Sequence, residues 1–168
     1  MKIFLIGFMG CGKSTLGRKL ATKLGYDFID IDHQIEKQIG MSIGAYFAAN
    51  GEEAFRAFER KTLQEFDYPS NCVVATGGGA PCYFDNMEWI NNNGTSVYIE
   101  MSATALARHL ENGKDKRPLL KDMNPEEMIH FIEQKLEERN PFYLQASLKV
   151  NGISLTPDDL RALLLSDV

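Results

Sequence analysis

The chain has 168 residues, 44% of them hydrophobic and 24% charged, with a formal net charge of −5. A chain of this length buries about 70% of the surface its unfolded form exposes, and its composition argues against a disordered or membrane protein. The acidic balance opposes a nucleic-acid partner, which needs a basic face, and no apolar run exceeds strand length, so no membrane span is expected.

The three cysteines, Cys11, Cys72 and Cys82, are odd in number and lack C-x-x-C spacing. Reduced thiols are therefore expected, without a disulfide framework or a zinc site. The first apolar run begins so near the N-terminus that no leader peptide is expected. Neither a repeat nor a linker divides the sequence, so a single cytoplasmic domain over residues 1–168 is expected, working as a monomer.

An apolar run at residues 3–6 reads as a buried first strand, and Gly7-Phe8-Met9-Gly10-Cys11-Gly12-Lys13-Ser14 follows it at once. This completes the phosphate-loop pattern G-x-x-x-x-G-K-[ST] in its proper place, between a strand and a helix. The glycines let the backbone turn several N–H groups toward one anion, and the helix that opens beyond them adds its positive end. Lys13 then reaches the β- and γ-phosphates, and the Ser14 hydroxyl is offered to Mg²⁺. Gly10, Cys11, Gly12, Lys13, Ser14 and Thr15 are the expected ATP-binding residues of this loop. Cys11, at a helix N-terminus, is also expected to be a reactive thiol.

Leu16, Leu20 and Leu24 recur every four residues until Gly25 stops the first helix. Further strands are expected at 27–31, 72–75, 96–100 and, more weakly, 148–150. One or two short helices fit residues 32–50, a longer one 52–66, and another 84–92. Asn124-Pro125-Glu126-Glu127 and Thr156-Pro157-Asp158-Asp159 each open a helix with a capping residue and a proline at the first helical position. Strands alternating with helices predict an α/β fold, a five-stranded parallel sheet with helices on both faces and ligands at the carboxyl ends of the strands.

The third strand ends in Thr76 and Gly77-Gly78-Gly79, with no carboxylate for a metal. Asp30 and Asp32 close the second strand instead, and strand alternation turns both to one side of the sheet; the competing view has Asp32 capping the next helix. Three successive glycines are entropically costly and fit either a close-approaching ligand or a plain turn. Residues 113–121, charged and interrupted by Pro118, read as a solvated loop or, beside a nucleotide site, as a lid carrying Arg117. Arg56, three residues before Glu59 on a helix, looks like half of a surface ion pair, and Arg139 sits among charged neighbours on a solvated helix. Trp89 reads as core, and His33, His109 and His130 need no role in chemistry.

Taken together and in this order, the phosphate loop, Asp30-Ile31-Asp32, Phe55-Arg56-x-x-Glu59, Thr76-Gly77-Gly78-Gly79-Ala80, Lys116-Arg117-Pro118-Leu119-Leu120 and Arg139-x-x-x-Tyr143 resemble the shikimate kinase family. The resemblance spans residues 2–143. It implies a P-loop, adenylate-kinase-like fold with a helical substrate-binding region at about 32–60 and a lid at about 112–124. It also implies ATP and Mg²⁺ as co-substrate and cofactor, and phosphorylation of the 3-hydroxyl of shikimate. By resemblance Lys13, Asp32 and Arg117 are catalytic, and Arg117 joins the loop residues in binding ATP. Ser14 and Asp30 hold the metal, Asp30 through water. Asp32, Arg56, Gly78, Gly79 and Arg139 bind shikimate, with the two arginines on its carboxylate, and Glu59 orients the pocket. A small, hydroxyl-rich anion suits guanidinium forks at one end and acceptors at the other. A related kinase acting on gluconate and a catalytically idle binding protein are the competing readings. On the adenine side, Arg108 as a stacking partner and the turn at 154–157 as lining are candidates left unassigned.

Overall fold

The computed structural model describes residues 1–113 and 120–166, so Arg117 and the middle of the expected lid lie outside the described residues. Five strands, β1 (Lys2–Ile6), β2 (Asp27–Asp30), β3 (Cys72–Ala75), β4 (Thr95–Glu100) and β5 (Leu148–Asn151), form one sheet in the order β2-β3-β1-β4-β5. Every pairing is parallel, as the alternation predicts. The helices are α1 (Lys13–Leu24), α2 (Ile31–Ile39), α3 (Ile43–Glu65), α4 (Asn86–Asn93), α5 (Ala103–Glu111), α6 (Pro125–Tyr143) and α7 (Pro157–Ser166), with a short 3₁₀ turn at Ala80–Cys82.

Strand periodicity divides the core in two. On β1, Ile3 and Leu5 point to one face, where α1, α5, α6 and α7 cover them with Leu20, Leu106, Leu110, Met128, Ile132 and Leu160. Phe4 and Ile6 point to the other, against Ile35, Phe55, Leu63, Met87 and Ile90 from α2, α3 and α4. Both faces of β1 are thus fully buried, which is why its residues read as a continuous apolar run. Trp89 belongs to the second cluster, its ring 5.8 Å from that of Phe4.

The helix ends follow local rules. Asn124 accepts from the Glu127 N–H at 2.8 Å, and Thr156 and Asp159 bond each other's backbone N–H groups at 3.1 and 3.0 Å. Gly51, at φ 85° and ψ 172°, breaks α3 into two segments, matching the separate helices expected before and after it. Several boundaries shift by a residue or two from expectation, and the one that bears on the site is the end of β2, which stops at Asp30, with Ile31 already in α2. The Asp30 side chain accepts from the His33 N–H at 3.3 Å and caps the helix, so the chain turns one residue earlier than its apolar pattern suggests.

Candidate active site

The loop between β1 and α1 lies at the carboxyl end of the central strand. Gly10 and Gly12 sit at φ 84° and 91°, in the left-handed region that a side chain disfavours. Gly12 is the N-cap of α1 and no side chain caps that end, so the first N–H groups of the helix remain available to an anion. Lys13 folds back over the loop, donating to the carbonyls of Gly7 at 2.6 Å and Phe8 at 3.0 Å. Cys11 is only 6% exposed, with Sγ 3.7 Å from the Lys13 ammonium. That burial runs against the reactive thiol expected there. His109, to which periodicity assigns no role, reaches the carbonyl of Gly10 through Nδ1 at 2.9 Å and supports the loop from α5.

Ser14 donates to the Asp30 carboxylate at 2.9 Å, so the serine and the helix cap are one linked unit. Strand alternation is not what brings the two aspartates together: Asp30 is a cap and Asp32 stands in the first turn of α2. Both nevertheless face one cavity of about 230 Å³, together with Gly10, Gly12, Lys13, Ser14, Thr15 and Gly78. A smaller cavity of about 200 Å³ continues past Cys11 and Thr15 to Lys19, Leu155 and Pro157, bringing in the turn at 154–157 but not Arg108.

A further cavity of about 380 Å³ adjoins the first, and Met9, Asp32 and Gly78 line both. Phe47, Phe55, Arg56, Glu59, Gly77, Gly79, Leu120 and Arg139 complete much of its wall. Its polar groups come from elements far apart in sequence: Asp32 from α2, Arg56 and Glu59 from α3, the glycines from the turn after β3, and Arg139 from α6. Arg56 bonds Glu59 at 2.9 Å, and its guanidinium lies 4.2 Å from the centre of the Tyr83 ring. Arg139 lies over Phe8 at 5.3 Å and has a buried terminal nitrogen with no hydrogen-bond partner among the described residues. A buried donor left open in this way favours an incoming acceptor.

The glycine run has a steric cause. None of Gly77, Gly78 and Gly79 has a positive φ, so backbone freedom is not the requirement. A Cβ on Gly77 would stand 2.9 Å from a Glu59 oxygen and 3.0 Å from one of Asp32, and a Cβ on Gly79 would stand 2.7 Å from both terminal nitrogens of Arg56. The charged side chains of the cavity therefore close directly onto this backbone. Tyr143, fully buried and stacked on Tyr98 at 4.9 Å, anchors it by donating its hydroxyl to the carbonyl of Gly78.

Burial and the neighbouring Asp30 charge push the Asp32 carboxyl up to about 6. Burial likewise raises Glu59 to about 7, against the pull of Arg56. Two acids held near neutrality beside two cations mark a cleft suited to proton handling and to a carboxylate ligand. Tyr83 and its partner Glu52 carry no motif signal; only the packing against Arg56 reveals them.

A phosphate loop opening into a second, guanidinium-lined cavity is the arrangement of a phosphate-loop kinase that acts on a small molecule, and fold and site together define that class. The shikimate kinase family model matches residues 9–165. A shikimate kinase from Parabacteroides distasonis is 48% identical over 161 residues, covering 95% of this chain and 93% of that one. The crystal structure of shikimate kinase from Bacteroides thetaiotaomicron superposes with a TM-score of 0.92 at 40% identity, covering 100% of this chain and 99% of that one. That of shikimate kinase from Acinetobacter baumannii in complex with shikimate gives 0.86 at 35%, covering 99% and 93%. The chain belongs to the shikimate kinase family.

Proposed function

We propose that this protein transfers the γ-phosphoryl group of ATP to the 3-hydroxyl of shikimate, giving shikimate 3-phosphate on the route to chorismate and the aromatic amino acids. The observation that carries this reading is the position of Asp32, on the shared wall of the phosphate cavity and the guanidinium-lined cavity. An acceptor whose carboxylate is gripped by Arg56 and Arg139 presents a hydroxyl to Asp32 and, across it, to the phosphates on the loop.

Lys13 leaves its carbonyl partners for the β- and γ-phosphates, and Arg117, assigned by the family resemblance, supplies a second cation as charge spreads over the equatorial oxygens. Asp32 aligns the acceptor hydroxyl and takes its proton. Because such a transition state is loose, alignment contributes more than base strength. Glu59 holds Arg56, and the backbone at Gly78 and Gly79 borders the acceptor.

Ser14 and Asp30 fit a Mg²⁺ site. The Ser14 hydroxyl and the Asp30 carboxylate, hydrogen-bonded at 2.9 Å, are hard oxygen donors of the kind Mg²⁺ takes, standing together beside the loop. Mg²⁺ is commonly held by few protein oxygens, with water and phosphate supplying the rest. Ser14 would hold the ion directly and Asp30 through water, and the ion would supply neutralisation of phosphate charge.

Among the described residues no helix is long and apolar enough to cross a membrane. We take the working form to be a cytoplasmic monomer with residues 1–168 as one kinase domain, needing neither nucleic acid nor membrane. The test is ADP release measured with shikimate, with gluconate and with no acceptor. Release that depends on shikimate supports the reading; dependence on gluconate, or no acceptor-dependent release, overturns it.

A further inference from the structure

Tyr83 lies just beyond the glycine run and meets Arg56 directly through its ring and indirectly through Glu52. Its ring centre is 4.2 Å from the guanidinium carbon, within the range where a cation is attracted to an aromatic face. Its hydroxyl donates at 2.8 Å to Glu52 Oε1, and the same oxygen lies 3.6 Å from Arg56 Nε. Glu59 holds a different nitrogen, Nη1, at 2.9 Å. The guanidinium is thus restrained on its face by Tyr83 and at one tip by Glu59, while Glu52 stands at ion-pair distance from an Nε that makes no hydrogen bond among the described residues. With Gly79 beside the terminal nitrogens, the room left to it is small.

The chain is strained where it presents this ring. Phe84 has φ 52°, a left-handed conformation that a bulky aromatic residue seldom adopts, and its side chain is 56% exposed, so no burial of its own accounts for the strain. The turn is pinned on both sides: Asn86, fully buried, donates to the Ala80 carbonyl at 2.8 Å and accepts from Gln64 of α3 at 3.0 Å. A rigid, strained turn that ends with an aromatic ring against a ligand-facing arginine is what pre-organisation of that arginine requires.

We propose that Tyr83 is a positioning residue for acceptor recognition: its ring and its bond to Glu52 hold the Arg56 fork in the orientation that meets the acceptor carboxylate. This rests on the assignment of Arg56 to that carboxylate. Tyr83→Leu removes both restraints, whereas Tyr83→Phe keeps the ring and releases only Glu52.

Steady-state kinetics with shikimate and with its methyl ester, which lacks the carboxylate charge, test the proposal. For Tyr83→Leu the shikimate KM is expected to rise roughly 2- to 30-fold, the range of a cation–π contact from exposed to desolvated, with kcat and the KM for ATP within about twofold. Tyr83→Phe is expected to recover most of the loss, and the Leu variant is expected to lose nothing further with the ester. An unchanged shikimate KM in Tyr83→Leu, or an equal loss with the ester, overturns the proposal. So does a parallel fall in kcat and the ATP affinity together with a lowered melting midpoint, which would make Tyr83 a structural residue only. If the Leu variant does not fold, Tyr83→Trp takes its place: a wild-type-like shikimate KM supports the ring's role, and a loss as large as that of Arg56→Ala refutes it. Were the unaltered protein itself inactive on shikimate, the functional assignment would fall, separately from the role of Tyr83.

Discussion

Replacing Gly79 by alanine puts a methyl carbon 2.7 Å from both terminal nitrogens of Arg56, a distance at which one of them must move. The backbone does not object, because Gly79 sits at φ −91° and ψ −12°, ordinary values for alanine. Arg56 moves instead, away from Glu59 and out of line with the acceptor. Each charge-assisted hydrogen bond lost to the acceptor costs about 1.5 to 3 kcal/mol, which is roughly a 10- to 150-fold weaker affinity for shikimate. Stability changes much less. Glu59, already raised to about 7, takes up a proton when its partner withdraws, and the substitution lowers the entropy of the unfolded chain by the equivalent of about 0.4 to 1 kcal/mol. Calorimetric titration of Gly79→Ala with shikimate, paired with a melting curve, measures both effects. Gly44→Ala is the control, since Gly44 lines the same cavity but a Cβ there would meet nothing within 4 Å. Wild-type affinity in Gly79→Ala would refute the steric reasoning, and a collapse in melting midpoint would show that the glycine serves the fold.

Arg56→Ala and Arg139→Ala are each expected to weaken shikimate binding by roughly 10- to 150-fold while ATP affinity stays within a few-fold, with a non-additive double variant, as calorimetry can measure. As the proposed proton acceptor, Asp32, raised to about 6, must be ionised, so kcat/KM for shikimate should rise with pH through that value. The same shift bears on stability: between about pH 4 and 6 the folded protein keeps a proton that the unfolded chain has released, so stability falls as pH rises, by at most ~3 kcal/mol for this group. Urea unfolding should accordingly show Asp32→Asn more stabilising at pH 8 than at pH 4. Tyr143→Phe leaves the Gly78 carbonyl without its partner and should cost about 1 to 3 kcal/mol in the same assay. Arg117→Ala should lower kcat by roughly 10³- to 10⁵-fold with a smaller change in the KM for ATP, as rapid-quench and steady-state kinetics would reveal.

Much of the fold is legible from local signals because local physics controls those features. Buried parallel strands must be apolar on both faces, so β1, β3 and β4 announce themselves. Gly25, Asn124 and Thr156 mark helix ends through cap chemistry that involves only near neighbours. The end of β2 falls one residue short of its apolar pattern because Ile31 continues that pattern while already serving the helix, and only the bond from the His33 N–H to Asp30 marks the change.

By itself, the sequence determined the phosphate loop, whose chemistry lies within eight consecutive residues, together with the alternating order of strands and helices. It also carried the family's spaced motifs, which pointed to Asp32, Arg56 and Arg139 without saying how they meet. What the tertiary structure alone decided is the cavity that joins them, since its walls come from α2, α3, α6 and the turn after β3, and no local rule relates those distances. It likewise decided the reason for Gly77 to Gly79, which is the volume occupied by Asp32, Glu59 and Arg56, and the parts played by His109, Tyr83 and Tyr143. Those parts depend on contacts between residues distant along the chain, and such contacts exist only once the sheet order has brought their elements together.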